Sequence, residues 1–143
     1  MILFDDVRDT LAETLRSRVL VVFGRAVDRV DIDLEEDLDR GDLRVAPAIL
    51  PASSDPKGDA ERLVSGMHLP QLVRSVSVES DGTIEFHLDR GAVIVALIGR
   101  DGFDSLLLQR IPDALWRAAR AYAEGDITTG ELLQSIPASS KRR

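Results

Sequence analysis

The two runs around Asp81-Gly82 constrain the fold most. Ser75-Val76-Ser77-Val78-Glu79-Ser80 and Thr83-Ile84-Glu85-Phe86-His87-Leu88 each alternate polar and apolar residues on either side of that dipeptide. A period of two sends successive side chains to opposite faces of a pleated strand. The pattern predicts a β-hairpin. Asp-Gly points to a two-residue type I′ turn, which needs positive φ at both central residues. Val76, Val78, Ile84, Phe86 and Leu88 then share the buried face. Glu85 and His87 lie on the other, facing solvent or a partner.

The remaining segments supply layers for that hairpin. Val7, Leu11 and Leu15 recur every four residues and predict a helix over about 5–23, with Asp5 and Asp6 where a cap and the positive helix end favour acid. Residues 19–23 could finish that helix or form a buried strand; helix is preferred. Val30-Asp31-Ile32-Asp33-Leu34-Glu35 alternates strictly and reads as a strand with an acidic outer face, which also discourages edge-to-edge pairing. Asp39-Arg40-Gly41-Asp42 turns the chain, and 43–50 is a second short strand or extended piece. Residues 51–58 are a loop by composition, and 59–67 a short helix. The β-branched run Ala92–Ile98 is expected as a central strand. Residues 103–111 could be strand or helix start. Pro112 and Asp113 open a helix with Leu115, Trp116, Ala119 and Tyr122 on its apolar side, and Gly125 stops it. Thr128-Thr129-Gly130-Glu131 matches a capping box for a last helix through Ile136. The expected class is α+β: an N-terminal helix, an antiparallel sheet of about four strands including the hairpin near 75–88, and two C-terminal helices. One domain over 1–136 and a flexible tail over 137–143 complete the organisation.

The composition narrows function mainly by exclusion. There is no cysteine among 143 residues, so disulfides, thiol nucleophiles and thiolate metal sites drop out. The formal net charge of −7 repels phosphate backbones and acidic membranes and favours a partner with a basic surface. The longest apolar run, seven residues from Ala92 to Ile98, is far short of the roughly 20 needed to span a bilayer, and nothing at the start reads as a signal peptide. A cytoplasmic, bacterial chain is expected. The acidic run from Asp31 to Asp42 fails as a calcium loop, because Glu36 stands where the sharp turn needs glycine and Asp42 where the bidentate glutamate belongs. No nucleophile elbow, phosphate loop or paired metal-binding histidines occur. His68 and His87 have no serine or acid tied to them by spacing. Neither a catalytic residue nor a cofactor is expected.

Cations gather in three places: Arg16, Arg18 and Arg25 at the end of the first helix; Arg110, Arg117 and Arg120 around Trp116 and Tyr122; and Lys141, Arg142 and Arg143. An arginine patch beside aromatic rings can hold single-stranded nucleic acid. Arg110, Arg117, Arg120, His87 and Glu85 are the candidate contacts to a protein partner or an RNA.

Gly41-Asp42, then Leu69-Pro70-Gln71-Leu72-Val73, then Val76 through Leu88 form a recognisable series. Over about residues 5–98 it resembles the N-terminal additional domain of arginyl-tRNA synthetases. The resemblance implies an α+β module that helps hold the outer corner of tRNA. Glu85 stands where that family usually has asparagine, and nothing after Ile98 resembles the synthetase catalytic domain, so aminoacylation is not implied. The sequence therefore supports a non-catalytic interaction domain: an adaptor, chaperone-like or regulatory subunit binding a protein. A tRNA-binding module is the alternative. Oligomeric state is left open.

Overall fold

The computed structural model describes residues 2–100 and 113–135; the side chains of 2–4, 97–100 and 113–115 lie outside that description. The chain opens with helix α1, Ile2–Phe23. Val7, Leu11, Leu15 and Val19 form one stripe, each at most 6% exposed. Burying side chains of this size contributes about 1.5–3 kcal/mol apiece. The ambiguous 19–23 stretch is therefore helical, and Gly24 ends it with φ +65°, donating its N–H to Leu20 O.

Four strands follow: β1 (Asp33–Leu34), β2 (Leu43–Val45), β3 (Val73–Val78) and β4 (Ile84–Leu88), all antiparallel in the order β1-β2-β4-β3. Leu43 and Val76 both oppose Phe86, which is fully buried on the central strand. The first two strands are shorter than the alternation suggested. Val30 and Ile32 are buried without joining the ladder, and after Val45 a short 3-10 turn, Pro47–Ile49, replaces extended chain. Helix α2 spans Pro56–Val64; Asp55 caps it by accepting the Gly58 N–H, and Pro56 takes the first turn, where a missing N–H costs nothing.

The hairpin is present, but its turn is not type I′. Asp81 does not have positive φ; only Gly82, at +93°, does. Gly82 donates to Glu79 O, and Glu79 donates to Thr83 O, closing a three-residue loop with glycine at the left-handed position. A Cβ on Gly82 would stand 2.8 Å from Leu50 Cδ1. The turn is packed against the segment before α2, which a wider loop suits better than a free two-residue turn.

The larger departure is Ala92–Ile98, which is helix and not strand. It lies within α3, Arg90–Arg100. Asp89 starts it, its carboxylate accepting the Ala92 N–H and its carbonyl the Val93 N–H. A seven-residue apolar run does not distinguish buried strand from helix by periodicity. The sheet decides: β4 already has β2 and β3 on its two edges, so no central slot remains. A helix needs to bury only one stripe, and here Val93 is buried while Val95 is 71% exposed.

Helix α4 spans Asp113–Glu124 and α5 spans Thr129–Ser135. Gly125 stops α4 at φ +85°. The capping box forms as the spacing predicted: Glu131 N–H donates to Thr128 Oγ1, and Thr128 N–H to Glu131 Oε1. Tyr122 is fully buried; Trp116, expected in the same stripe, is instead 44% exposed. The architecture is α+β, as the pattern indicated. Segments 103–111 and 137–143 lie outside the described residues.

Candidate functional site

The candidate site is built around Asp42, where the turn ahead of β2 meets the central strand. Its N–H donates to Phe86 O at 2.8 Å, and its carbonyl accepts the Glu35 N–H. Its carboxylate is buried and takes four donors: the Leu88 N–H at 2.8 Å, Arg90 Nε at 3.1 Å, Arg90 Nη2 at 2.6 Å and Thr129 Oγ1 at 3.1 Å. Arg90 then crosses to the C-terminal helices, with Nη1 donating to Tyr122 O and Ile127 O and its guanidinium 4.3 Å from the centre of the Tyr122 ring. The Tyr122 hydroxyl bonds Thr129 Oγ1, and burial pushes its pKa up to about 12. One carboxylate thus joins β4, α3, α4 and α5. Charge-assisted bonds of this kind are roughly twice as strong as neutral ones.

Beside this hub opens a cleft of about 360 Å³, whose polar lining includes Arg40, Arg74, His87 and Arg90 from four separate segments. Arg90 is spent on the hub. Arg74 is exposed and has no ion-pair partner among the described residues. The ladder steps two residues on β3, from Val73 to Ser75, while β4 steps one, leaving Arg74 as the extra residue of a bulge. Bulges commonly re-aim a side chain in this way. Two residues earlier Leu72 has φ +82°, an uncommon conformation for a branched side chain, and its carbonyl accepts the Asp89 N–H. Arg40 is held loosely, 3.5 Å from both Asp37 and Glu79. His87 Nε2 is 3.0 Å from Ser77 Oγ across the hairpin. Among the described residues no carboxylate bonds the other ring nitrogen, so this pair does not form a triad. Asp89 and Glu124 also line the cleft, and Asp89 is occupied in capping α3.

The residues singled out from sequence divide clearly. His87 lines the cleft. Arg117 and Arg120 belong to α4 but do not line it. Arg110 lies outside the described residues. Glu85 corrects the expectation of a surface contact: it is 1% exposed, because the 35–42 turn covers it and the Gly41 N–H donates to its Oε1. Glu35, expected on a solvated outer face, is only 4% exposed for the same reason. The cations at the end of α1 are structural. Arg18 ties down Leu63 O and Ser65 O, Arg25 ties down Leu50 O, and Arg16 ties down Val27 O. Arg40 and Arg74 were missed. Arg40 sits in a turn whose fold-back is tertiary, and only the bulge brings Arg74 to the cleft.

Among the described residues, no group of three or more metal-ligating side chains occurs, and no helix is long and apolar enough to cross a membrane. No family model matches the chain, and no curated protein matches it. Among solved structures, the arginyl-tRNA synthetase of Thermus thermophilus is similar, with a TM-score of 0.54 and 22% identity over 64% of this chain. The match spans only 16% of that synthetase. Over this segment the chain shares the fold that the Gly41-Asp42 and hairpin pattern indicated.

Proposed function

We propose that the chain is a non-catalytic binding module that holds a folded RNA of tRNA type through the cleft beside β3 and β4. The observation that carries this reading is the convergence of Arg40, Arg74 and His87 on one cleft of a fold shared with a tRNA synthetase. Arginine suits the role, since its planar fork matches phosphate oxygens. The net charge of −7 works against long-range attraction, so binding depends on local contacts and is weak outside low salt. Total tRNA is expected to shift in a gel at about 50 mM salt and to lose the shift as salt rises. Absence of a shift at that low salt removes the reading.

A second reading has its own support. Asp31 just ahead of the edge strand, Asp33 on it, and Glu36 and Asp39 in the turn that follows are exposed and form an acidic surface suited to a basic protein partner. In that case the chain is an adaptor or regulatory subunit of the cytoplasm. Capture from lysate of a partner that is released by salt, with no tRNA shift, favours it.

A further inference from the structure

Two buried glutamates under the 35–42 turn form an arrangement that neither reading uses. Glu35 Oε1 accepts the Asp37 N–H at 2.9 Å, and Glu85 Oε1 accepts the Gly41 N–H at 3.1 Å. Each therefore fastens one end of the same turn. The second oxygen of each, Oε2, is buried and receives no N–H or hydroxyl among the described residues. The two carboxyls are hydrogen-bond neighbours. Two ionised carboxylates buried side by side repel strongly, and a single proton between them removes both the repulsion and the two orphaned acceptors. We infer that Glu35 and Glu85 share one proton that latches the 35–42 turn onto β4, and that losing it releases the turn together with Arg40.

The surroundings agree. Burial, then the bond and charge of Glu35, push the Glu85 carboxyl up to about 8, and Glu79 adds in the same direction. Burial also acts to raise Glu35, but the bond with Glu85, the Asp37 N–H and the charges of Arg44 and Arg40 outweigh it and leave Glu35 low. The pair therefore holds one proton between them, with Glu85 the carboxyl that is pushed up and Glu35 the one that is held down. Because Glu85 is raised above its unfolded value, its contribution is complete below the ordinary carboxylate range and is lost as pH climbs through about 8. Glu35 is lowered, so its contribution holds above that range and is lost only in acid. The latch is closed in mild acid and open in mild alkali. Gly41 has no room for a side chain, since a Cβ would stand 3.0 Å from Glu85 Cβ and from Phe86 O, so the turn lies directly on β4.

Amide hydrogen exchange of the whole chain tests this, with rates expressed as protection factors. Between about pH 6 and about pH 9 the protection of the Gly41 and Asp37 amides is expected to fall more than about tenfold, the factor that one pKa unit represents. Glu85→Gln removes the group that titrates and places a permanent N–H donor between the two side chains, so its protection should stay flat over that range. A flat wild-type profile, or a fall in Glu85→Gln equal to that in the wild type, overturns the inference. So do wild-type carboxyl carbon signals of Glu35 and Glu85 that both titrate in the ordinary carboxylate range. None of these readouts involves RNA, so they stand apart from the proposed function.

Discussion

Replacing Asp42 with alanine is expected to remove about 3–5 kcal/mol of folding stability, the usual cost of stripping one partner from a buried ion pair. The side chains of Asp42 and Arg90 are only 6% and 17% exposed, and Arg90 keeps its charge when its partner goes. What remains around the guanidinium is two backbone carbonyls and the Tyr122 ring, which bear no full negative charge. The Leu88 N–H and the Thr129 hydroxyl lose their acceptor at the same time. Against a total of about 5–15 kcal/mol for a domain of ordinary stability, this is a large share. The variant should unfold at a much lower urea midpoint, with the tyrosine in α4 exposed early. Asp42→Asn should recover only part of the loss, because the new NH2 must face either Arg90 or the Leu88 N–H. Adding Arg90→Met to Asp42→Ala should restore stability relative to Asp42→Ala alone, since the uncompensated charge is then gone. No recovery in the double variant would mean that Arg90 is better solvated than its position implies.

Phe86→Ala should cost a similar amount, about 3–5 kcal/mol, through a different mechanism. Phe86 is fully buried on the central strand, flanked by Leu43 on β2 and Val76 on β3. Removing the ring leaves a void between two neighbouring strands and the helices packed on them, and interiors of protein density relax only partly into such a space. Its backbone still accepts the Asp42 N–H, so the hub should persist in whatever fraction stays folded. The distinguishing measurement is the response to a second substitution. Arg90→Met should restore stability to Asp42→Ala and should not restore it to Phe86→Ala, because only the first variant leaves the guanidinium without its partner.

Local pattern reveals different parts of this molecule unequally. The α1 stripe, the hairpin strands, the capping box at Thr128 and the stop at Gly125 are each encoded by residues within a few positions of one another, and each formed. The run from Ala92 to Ile98 misleads because its composition suits a central strand, and the sheet order that denies it a place is a property of the whole chain. Glu35 and Glu85 look like solvated carboxylates in sequence. Their burial depends on a turn folding across β4, with Gly41 reaching Glu85 from 44 residues away, which no periodicity encodes. Asp42 and Arg90 are 48 positions apart and meet only because β4 delivers Leu88 beside the Gly41-Asp42 turn. The Gly41-Asp42 pair was legible as part of a family resemblance, but its role as a hub emerged only from the packing. The cleft cations were hidden in the same way, since a bulge is an offset between two strands and is visible in neither alone.

Salt dependence of tRNA binding, measured for the wild type and for the Arg40→Ala/Arg74→Ala double variant, tests the proposed function most directly. Each phosphate contact contributes about −0.9 to the slope of log affinity against log salt on a duplex. If the cleft holds phosphates, the double variant should bind more weakly and its slope should flatten by about 1.5–2. Equal affinity and an equal slope in the two proteins would contradict the assignment of the cleft as the RNA-binding surface.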